Sequence, residues 1–150
     1  MTSVDIEVEG LAALTKQLGV ISGRADDVLS NVITELVVET HSEAVRGIQG
    51  GPNTGRVYEK YAPRRTHRAS SAGQYPASDT GRLAASIGQQ LPTDATLIGK
   101  VGTDVIYGRY LEFGTSGMAA RPWLLPSFEK AKIGVSKELK REIERLLKNA

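Results

Sequence analysis

The chain has 150 residues, no cysteine and a formal net charge of +2. This length suits a single domain with one hydrophobic core, and the lack of cysteine excludes disulfides, thiol catalysis and cysteine-bound zinc. No apolar run approaches the roughly 20 residues of a membrane span. The polar, acidic start MTSVDIEVEG is unlike a signal peptide, so we expect a soluble, unexported protein.

The charge is distributed unevenly along the chain. Residues 1–50 carry 3 Lys or Arg against 8 Asp or Glu, residues 51–82 carry 6 against 2, and residues 83–150 carry 10 against 7. A subunit with acidic and basic parts suits head-to-tail association or the joining of unlike partners, although many monomers are polarised as well.

The first fifty residues predict one strand and two helices. Apolar and acidic residues alternate from position 4 to 8, which is typical of a half-buried strand, and Gly10 ends it. Residues 11–21 fit a short helix that stops at Ser22-Gly23. Apolar residues then recur at helical spacing from 28 to 48, which predicts a long helix that a Gly-Gly-Pro sequence ends.

A long loop is predicted after this helix. Eleven of the thirty-four residues from 49 to 82 are Gly, Pro or Ser, and Val57 is the only Val, Ile, Leu, Met, Phe or Trp among them. Such a segment cannot bury a core of its own, and loops of this length are usually functional or disordered. We therefore expect residues 49–79 to form an extended Gly-, Ser- and Arg-rich insertion within a single domain, 1–150.

The next elements are a short helix and a β-hairpin. Ser78-Asp79-Thr80 offers N-cap residues for a helix that carries Leu83 and Ile87. Extended segments at about 89–91 and 96–103 follow, joined by a turn at residues 92–94. We expect this hairpin to pair with the N-terminal strand.

Two further helices complete the predicted fold. Tyr107, Tyr110 and Leu111 lie on one face of a short helix that the Gly114–Gly117 cluster should stop. A helix from about 122 to 148 then carries a stripe of apolar residues at steps of three or four. This stripe comprises Phe128, Ala131, Val135, Leu139, Ile143 and Leu146.

These elements together predict an α+β fold. It has an N-terminal strand and long helix, a small antiparallel sheet, a C-terminal amphipathic helix and a long basic loop insertion.

The sequence offers no arrangement of residues suited to catalysis. His41 and His67 lack metal-ligand spacing, and Gly114-Thr115-Ser116-Gly117 lacks the spacing of a serine nucleophile motif. The three glutamates at 35, 39 and 43 follow one helix face, where a solvated acidic stripe is the expected role. We expect no catalytic residue, no cofactor, no metal ion and no enzymatic activity.

The basic loop is the stronger candidate for a functional role. Its cations alternate with tyrosines, a mixture that contacts phosphates and stacks on bases or peptides. The residues concerned are Arg56, Tyr58, Lys60, Tyr61, Arg64, Arg65 and Arg68. Three roles remain open for them: a solvated loop, protein contacts in an assembly, or contacts with nucleic acid.

A series of short motifs between residues 78 and 132 resembles a known family. The motifs are T-G-R-L, V-G-T, Y-L-E-F-G-T and A-R-P-W-L, in that order. They contain Gly81, Arg82, Leu83, Tyr107, Tyr110, Glu112, Phe113, Gly114, Thr115, Arg121, Pro122 and Trp123. This succession resembles the gene product ten family of lambda-like tailed phages, whose members are head-tail joining, neck or tail-completion proteins.

The resemblance implies an α+β subunit of a ring in the virion neck, assembled in the host cytoplasm. Such a ring, of six or twelve subunits, would join a connector or head-closure protein to the tail tube or terminator and leave a channel for DNA. Within the motifs we assign Phe113 and Trp123 to the core. Glu112 and Arg121 are expected to form a polar contact or a subunit interface. The alternative function is a nucleic-acid-binding module that uses the basic loop.

Overall fold

The computed structural model describes residues 11–93 and 95–148. The elements in chain order are α1 (Leu11–Gly50), β1 (Val57–Tyr61), β2 (Arg64–Arg68), α2 (Arg82–Ser86), β3 (Ile87–Gln90), β4 (Lys100–Thr103), α3 (Ile106–Phe113) and α4 (Leu124–Lys148). Helices and two small antiparallel sheets confirm the predicted α+β class. The strand predicted at residues 4–8 lies outside the described residues. None of the described helices is long and apolar enough to cross a membrane.

The first helix is longer than the sequence predicts. α1 runs without interruption over 40 residues, so the predicted stop at Ser22-Gly23 is wrong. A lone glycine costs a helix interior only about 1 kcal/mol relative to Ala, and no proline follows it here. Gly47 also lies inside α1, where ring carbons of Tyr75 occupy the space that a Cβ would need. The helix ends at Gly50, as the sequence predicts.

The core lies where the C-terminal half of α1 meets α4 and the short elements between them. Its buried residues are Ala44, Ile48, Leu83, Ala84, Ile87 and Trp123. The predicted C-terminal helix is present and begins at Leu124. Ala131 and Val135 of its stripe are buried, whereas Phe128 and Ile143 are exposed, so the stripe is buried only in part.

The segment 49–79 contains regular structure that the sequence reading missed. β1 and β2 form an antiparallel hairpin in which Val57 pairs with Arg68 and Tyr61 with Arg64. Ala62-Pro63 joins the strands through a cis peptide bond. Backbone pairing and cross-strand contacts can order two short strands without a core of their own. The low apolar content of this segment therefore did not exclude regular structure.

The second hairpin matches its prediction more closely. β3 and β4 are antiparallel, with Ile87 opposite Thr103 and Gln90 opposite Lys100. The predicted N-cap of the helix before it is wrong. Gly81, with φ 75° and ψ −5°, is the N-cap residue of α2, and the N–H of Arg82 donates to Thr80 Oγ1 at 3.4 Å.

We expect Val135→Ala to lower the free energy of unfolding by roughly 2 kcal/mol, because Val135 is 5% exposed and its loss leaves a cavity. Ile133→Ala is the matched control, since Ile133 lies on the same helix and is 64% exposed. The control should change stability by no more than about 0.5 kcal/mol. Urea unfolding followed by circular dichroism measures both, and equal losses would contradict the packing described.

Candidate interaction surfaces

A carboxylate joins the last two helices. Glu112, near the end of α3, accepts hydrogen bonds at Oε2 from the backbone N–H groups of Trp123 (2.7 Å) and Leu124 (2.9 Å). Its Oε1 accepts a third from the N–H of Leu125 at 3.0 Å. These N–H groups belong to the first turn of α4, where no intrahelical acceptor exists and negative charge is favoured. Glu112 therefore caps α4 and forms no hydrogen bond or ion pair with Arg121, contrary to one of the predicted alternatives.

The indole of Trp123 fixes the same junction from the other side. Trp123 is 3% exposed, as predicted for a core residue, and its Nε1 donates to the carbonyl of Gly108 at 2.9 Å. A Cβ at Gly108 would collide with Thr103, so the helix approaches the sheet closely at this point. We call the Glu112 and Trp123 contacts together the α3–α4 joint.

The remaining motif residues mainly support this joint. Gly114 ends α3 at φ 75°, and its N–H donates to the carbonyl of Tyr110 at 2.8 Å. Arg121 donates from Nε to the carbonyl of Ser70 at 3.1 Å, while its backbone N–H donates to the carbonyl of Leu111 at 2.7 Å. Arg121 thus ties the segment before α4 to the chain that follows the first hairpin.

The other motif residues differ in exposure. Leu83 is buried and Arg82 is exposed. Thr115 is exposed and forms an isolated β-bridge with Met118, and Pro122 is half-buried directly before Trp123.

Phe113 is not in the core, so its predicted position is wrong. Its side chain is 77% exposed, because Leu111 occupies the inward position of the same helical turn. Ile106 and Tyr110 precede Phe113 on α3 by seven and three residues, and both are exposed as well. The outer face of α3 is therefore apolar and in contact with solvent.

Phe113 also borders an apolar cleft of about 660 Å³ between α1, β4, α3 and α4. Its lining includes Ile33, Val37, Val101, Gly102, Arg109 and Leu125. Leu125 and Phe128 stand exposed beside Phe113. Contiguous exposed apolar surface of this kind typically marks a site of interaction with another macromolecule or ligand. The apolar cleft was not predicted, because its walls come from four elements distant in sequence.

The basic residues of the first hairpin are divided between two faces. Register places Lys60 opposite Arg65 and Tyr58 opposite His67, so these four side chains share one face, the inner face. The inner face meets Asp79. Its carboxylate pairs with Lys60 and with Arg65, whose Nη2 lies 3.0 Å from Oδ1, and His67 Nδ1 lies 3.7 Å from the same oxygen.

The opposite, outer face of the hairpin carries Val57, Glu59, Tyr61, Arg64, Thr66 and Arg68. Tyr61 is 76% exposed. Neither Arg64 nor Arg68 forms an ion pair with a carboxylate of the described residues. Arg56, just before β1, places its guanidinium carbon 5.5 Å from the centre of the Tyr58 ring.

Asp79 is a residue whose role the sequence reading missed. The hydrogen bond from Lys60 lowers the pKa of Asp79, and the charges of Arg65, Lys60 and His67 lower it further. A signal was present in the sequence, since Asp79 is one of only two acidic residues between 51 and 82. Its position just before a predicted helix also suits an N-cap, which is a competing role for the same carboxylate.

Within 11–93 and 95–148, no group of three or more His, Cys, Asp or Glu side chains is placed to hold a metal ion. No family model, curated protein or solved structure matches this chain.

We expect Asp79→Asn to release the hairpin from the rest of the domain at neutral pH. Because the folded-state pKa of Asp79 is depressed, its contribution to stability is present above the ordinary value of 3.8 and is lost as pH falls through the lower folded-state value. The difference in unfolding free energy between wild type and Asp79→Asn should therefore narrow below pH 3.8. Urea unfolding at several pH values measures it.

The matched control is Asp104→Asn, since Asp104 is exposed and forms no ion pair among the described residues. Amide hydrogen exchange should show faster exchange at residues 57–68 in Asp79→Asn alone. Unchanged exchange in that variant would mean that Asp79 does not hold the hairpin.

Proposed function

We propose that this chain is a structural subunit of a homo-oligomeric ring in the head-tail connector, or neck, of a tailed phage. The ring joins the DNA-filled head to the tail and leaves a channel for DNA. The observation that carries the proposal is the exposure of Phe113 within the E-F-G-T motif. A large apolar side chain that the subunit's own core does not use is suited to a contact between subunits.

The contacts that the motif residues make support a structural role. Glu112 and Trp123 are occupied in holding α3 against α4, and Arg121 binds a backbone carbonyl of another segment. Each of these polar groups stabilises the shape of the subunit. No reactive role is assigned to them, and the proposal includes no enzymatic activity.

The arrangement of surfaces favours a ring over a symmetric dimer. The apolar cleft and the basic outer face of the hairpin differ in chemistry and are built from different elements. A twofold dimer uses the same patch on both subunits, whereas head-to-tail contacts use two different patches and close into a ring when the rotation allows. Six or twelve subunits would match the resemblance to neck proteins. The ring's neighbours would be a connector or head-closure protein and a tail tube or terminator.

We expect Phe113→Asp to abolish ring assembly while leaving the subunit folded. Phe113 is 77% exposed in the single subunit, so a charge there should change monomer stability by no more than about 0.5 kcal/mol. Light scattering coupled to size-exclusion chromatography and electron microscopy should show rings of uniform size for wild type and monomers for the variant. Circular dichroism checks the fold.

Ile133→Asp is the matched control, because Ile133 is also exposed but does not line the apolar cleft. This variant should assemble as wild type does. A wild-type protein that stays monomeric at every concentration would contradict the ring proposal. Portal, connector and tail-tube genes beside the coding gene would support it independently.

A second candidate function is contact with DNA through the outer face of the hairpin. Arg64 and Arg68 point to the same side as Tyr61, and none of these three is used by Asp79. Guanidinium groups beside an exposed aromatic ring suit phosphates and bases. Both functions hold together if this face lines the channel of the ring.

We expect Arg64→Ala/Arg68→Ala to weaken binding to a DNA duplex and to flatten its salt dependence. Loss of two phosphate contacts should make the slope of log K against log salt concentration shallower by about 1.8. Lys137→Ala/Lys140→Ala is the control, since it removes the same charge from exposed positions on α4. Fluorescence anisotropy titrations measure both. Equal slopes for wild type and the arginine variant would exclude DNA contact by this face.

A further inference from the structure

Strand β4 forms one wall of the apolar cleft. Val101, Gly102 and Thr103 of β4 all line the cleft. Val101 and Thr103 point to the same face of the sheet, and Gly102 between them contributes only backbone, so the cleft meets backbone as well as side chains of β4. Within the described residues β4 is paired on one side, with β3. An edge of this kind accepts an additional strand through its backbone groups.

We propose that the occupant of the apolar cleft is residues 4–8 of a second copy of this chain, added to the edge of β4. Val4, Ile6 and Val8 alternate with Asp5, Glu7 and Glu9, which gives this segment one apolar and one acidic side. The apolar side matches the lining of the cleft, where Val37, Val101 and Phe128 present hydrocarbon surface. The backbone supplies hydrogen bonds to β4, and the alternating side chains set the register.

The segment must come from a second copy because the chain's own copy cannot reach. α1 begins at Leu11, and its first residue in the cleft is Ile33. Those 22 residues of helix span about 33 Å, whereas the seven residues from Val4 to Leu11 extend over at most about 25 Å. Ile6, at the centre of the segment, is fewer residues away from Leu11 than Val4 is, so its maximum reach from Leu11 is shorter still. The cleft and residues 4–8 of one subunit therefore cannot meet.

The charges on the two surfaces are complementary. Lys100 on β4 and Arg109 on α3 stand exposed at the cleft or directly beside it. Neither forms an ion pair with a carboxylate of the described residues. Glu112 also lines the cleft, but its carboxylate oxygens accept hydrogen bonds from backbone N–H groups at the start of α4. The acidic side of a docked segment thus meets uncompensated cations at the rim.

This contact rests on the proposed ring, since it supplies one head-to-tail link between neighbouring subunits. The contact specifies which segment of one subunit enters which surface of the next.

Disulfide cross-linking tests the contact directly, because the chain contains no cysteine of its own. One set of proteins carries a single cysteine at each position from 4 to 8, and a second protein carries Gly102→Cys. A Cβ at Gly102 has no heavy atom within 4 Å, so this substitution fits the fold. The two proteins are mixed and oxidised, and only a contact between copies can join them. Cross-linking requires Cα atoms within about 7 Å.

We expect mixed disulfide dimers for at least one position between 4 and 8. The control replaces Gly102→Cys with Lys137→Cys, exposed on α4, which should give less than a tenth of that yield. Equal yields with the two partners, or no dimers at any position, overturn the inference. If rings assemble without these cross-links, the inference alone fails. If the protein is monomeric, the ring proposal fails with it.

Ile6→Asp provides a second measurement. A charge on the apolar side of the segment should shift the assembly midpoint to at least tenfold higher protein concentration in sedimentation velocity. Thr2→Asp is the matched control, since it adds the same charge outside residues 4–8 and should leave the midpoint unchanged. Equal assembly midpoints for wild type and Ile6→Asp would overturn the inference. This holds even if disulfide dimers form, because a cross-link can also trap a transient encounter.

Discussion

The cap that Glu112 places on α4 determines much of the rest of the structure. The Glu112 carboxylate accepts hydrogen bonds from three backbone N–H groups at the start of α4, a helix of 25 residues. These bonds fix both the position of α4 and the rotation of α3 about its own axis. Because consecutive helical residues are rotated by about 100°, turning Glu112 toward α4 turns its neighbour Phe113 away from the core. With Leu111 on the inward side of the same turn, this rotation leaves Phe113 exposed.

The same α3–α4 joint shapes the apolar cleft. Trp123 fills the space beneath α3 and bonds to Gly108, so the sheet, α1 and α4 are held around a gap that no side chain of the described residues fills. A subunit selected for its own stability alone would be expected to close such a gap, because exposed apolar surface contributes nothing to folding. Its persistence beside a rigid joint favours a surface that is completed by a partner.

Elements determined by local periodicity were predictable, and those determined by distant contacts were not. The stripe of α4, the end of α1 at Gly50 and the end of α3 at Gly114 follow from spacing and glycine placement. The first hairpin was missed because Asp79, outside both strands, holds its inner face. Phe113 was misplaced because apolar residues occupy both faces of α3. The division of the basic residues into two faces depended on a strand register that composition does not reveal.

The length of α1 gives the proposed assembly its direction. A 40-residue helix spans about 60 Å, so in the proposed contact residues 4–8 enter the cleft of a neighbouring subunit and not that of their own. Two complementary surfaces that cannot meet within one chain can meet only between chains, each subunit engaging the next. Such an association is polar, because every subunit has the same orientation relative to the next and presents its hairpin in the same direction. A connector between a head and a tail needs this property, because its two ends must recognise different partners.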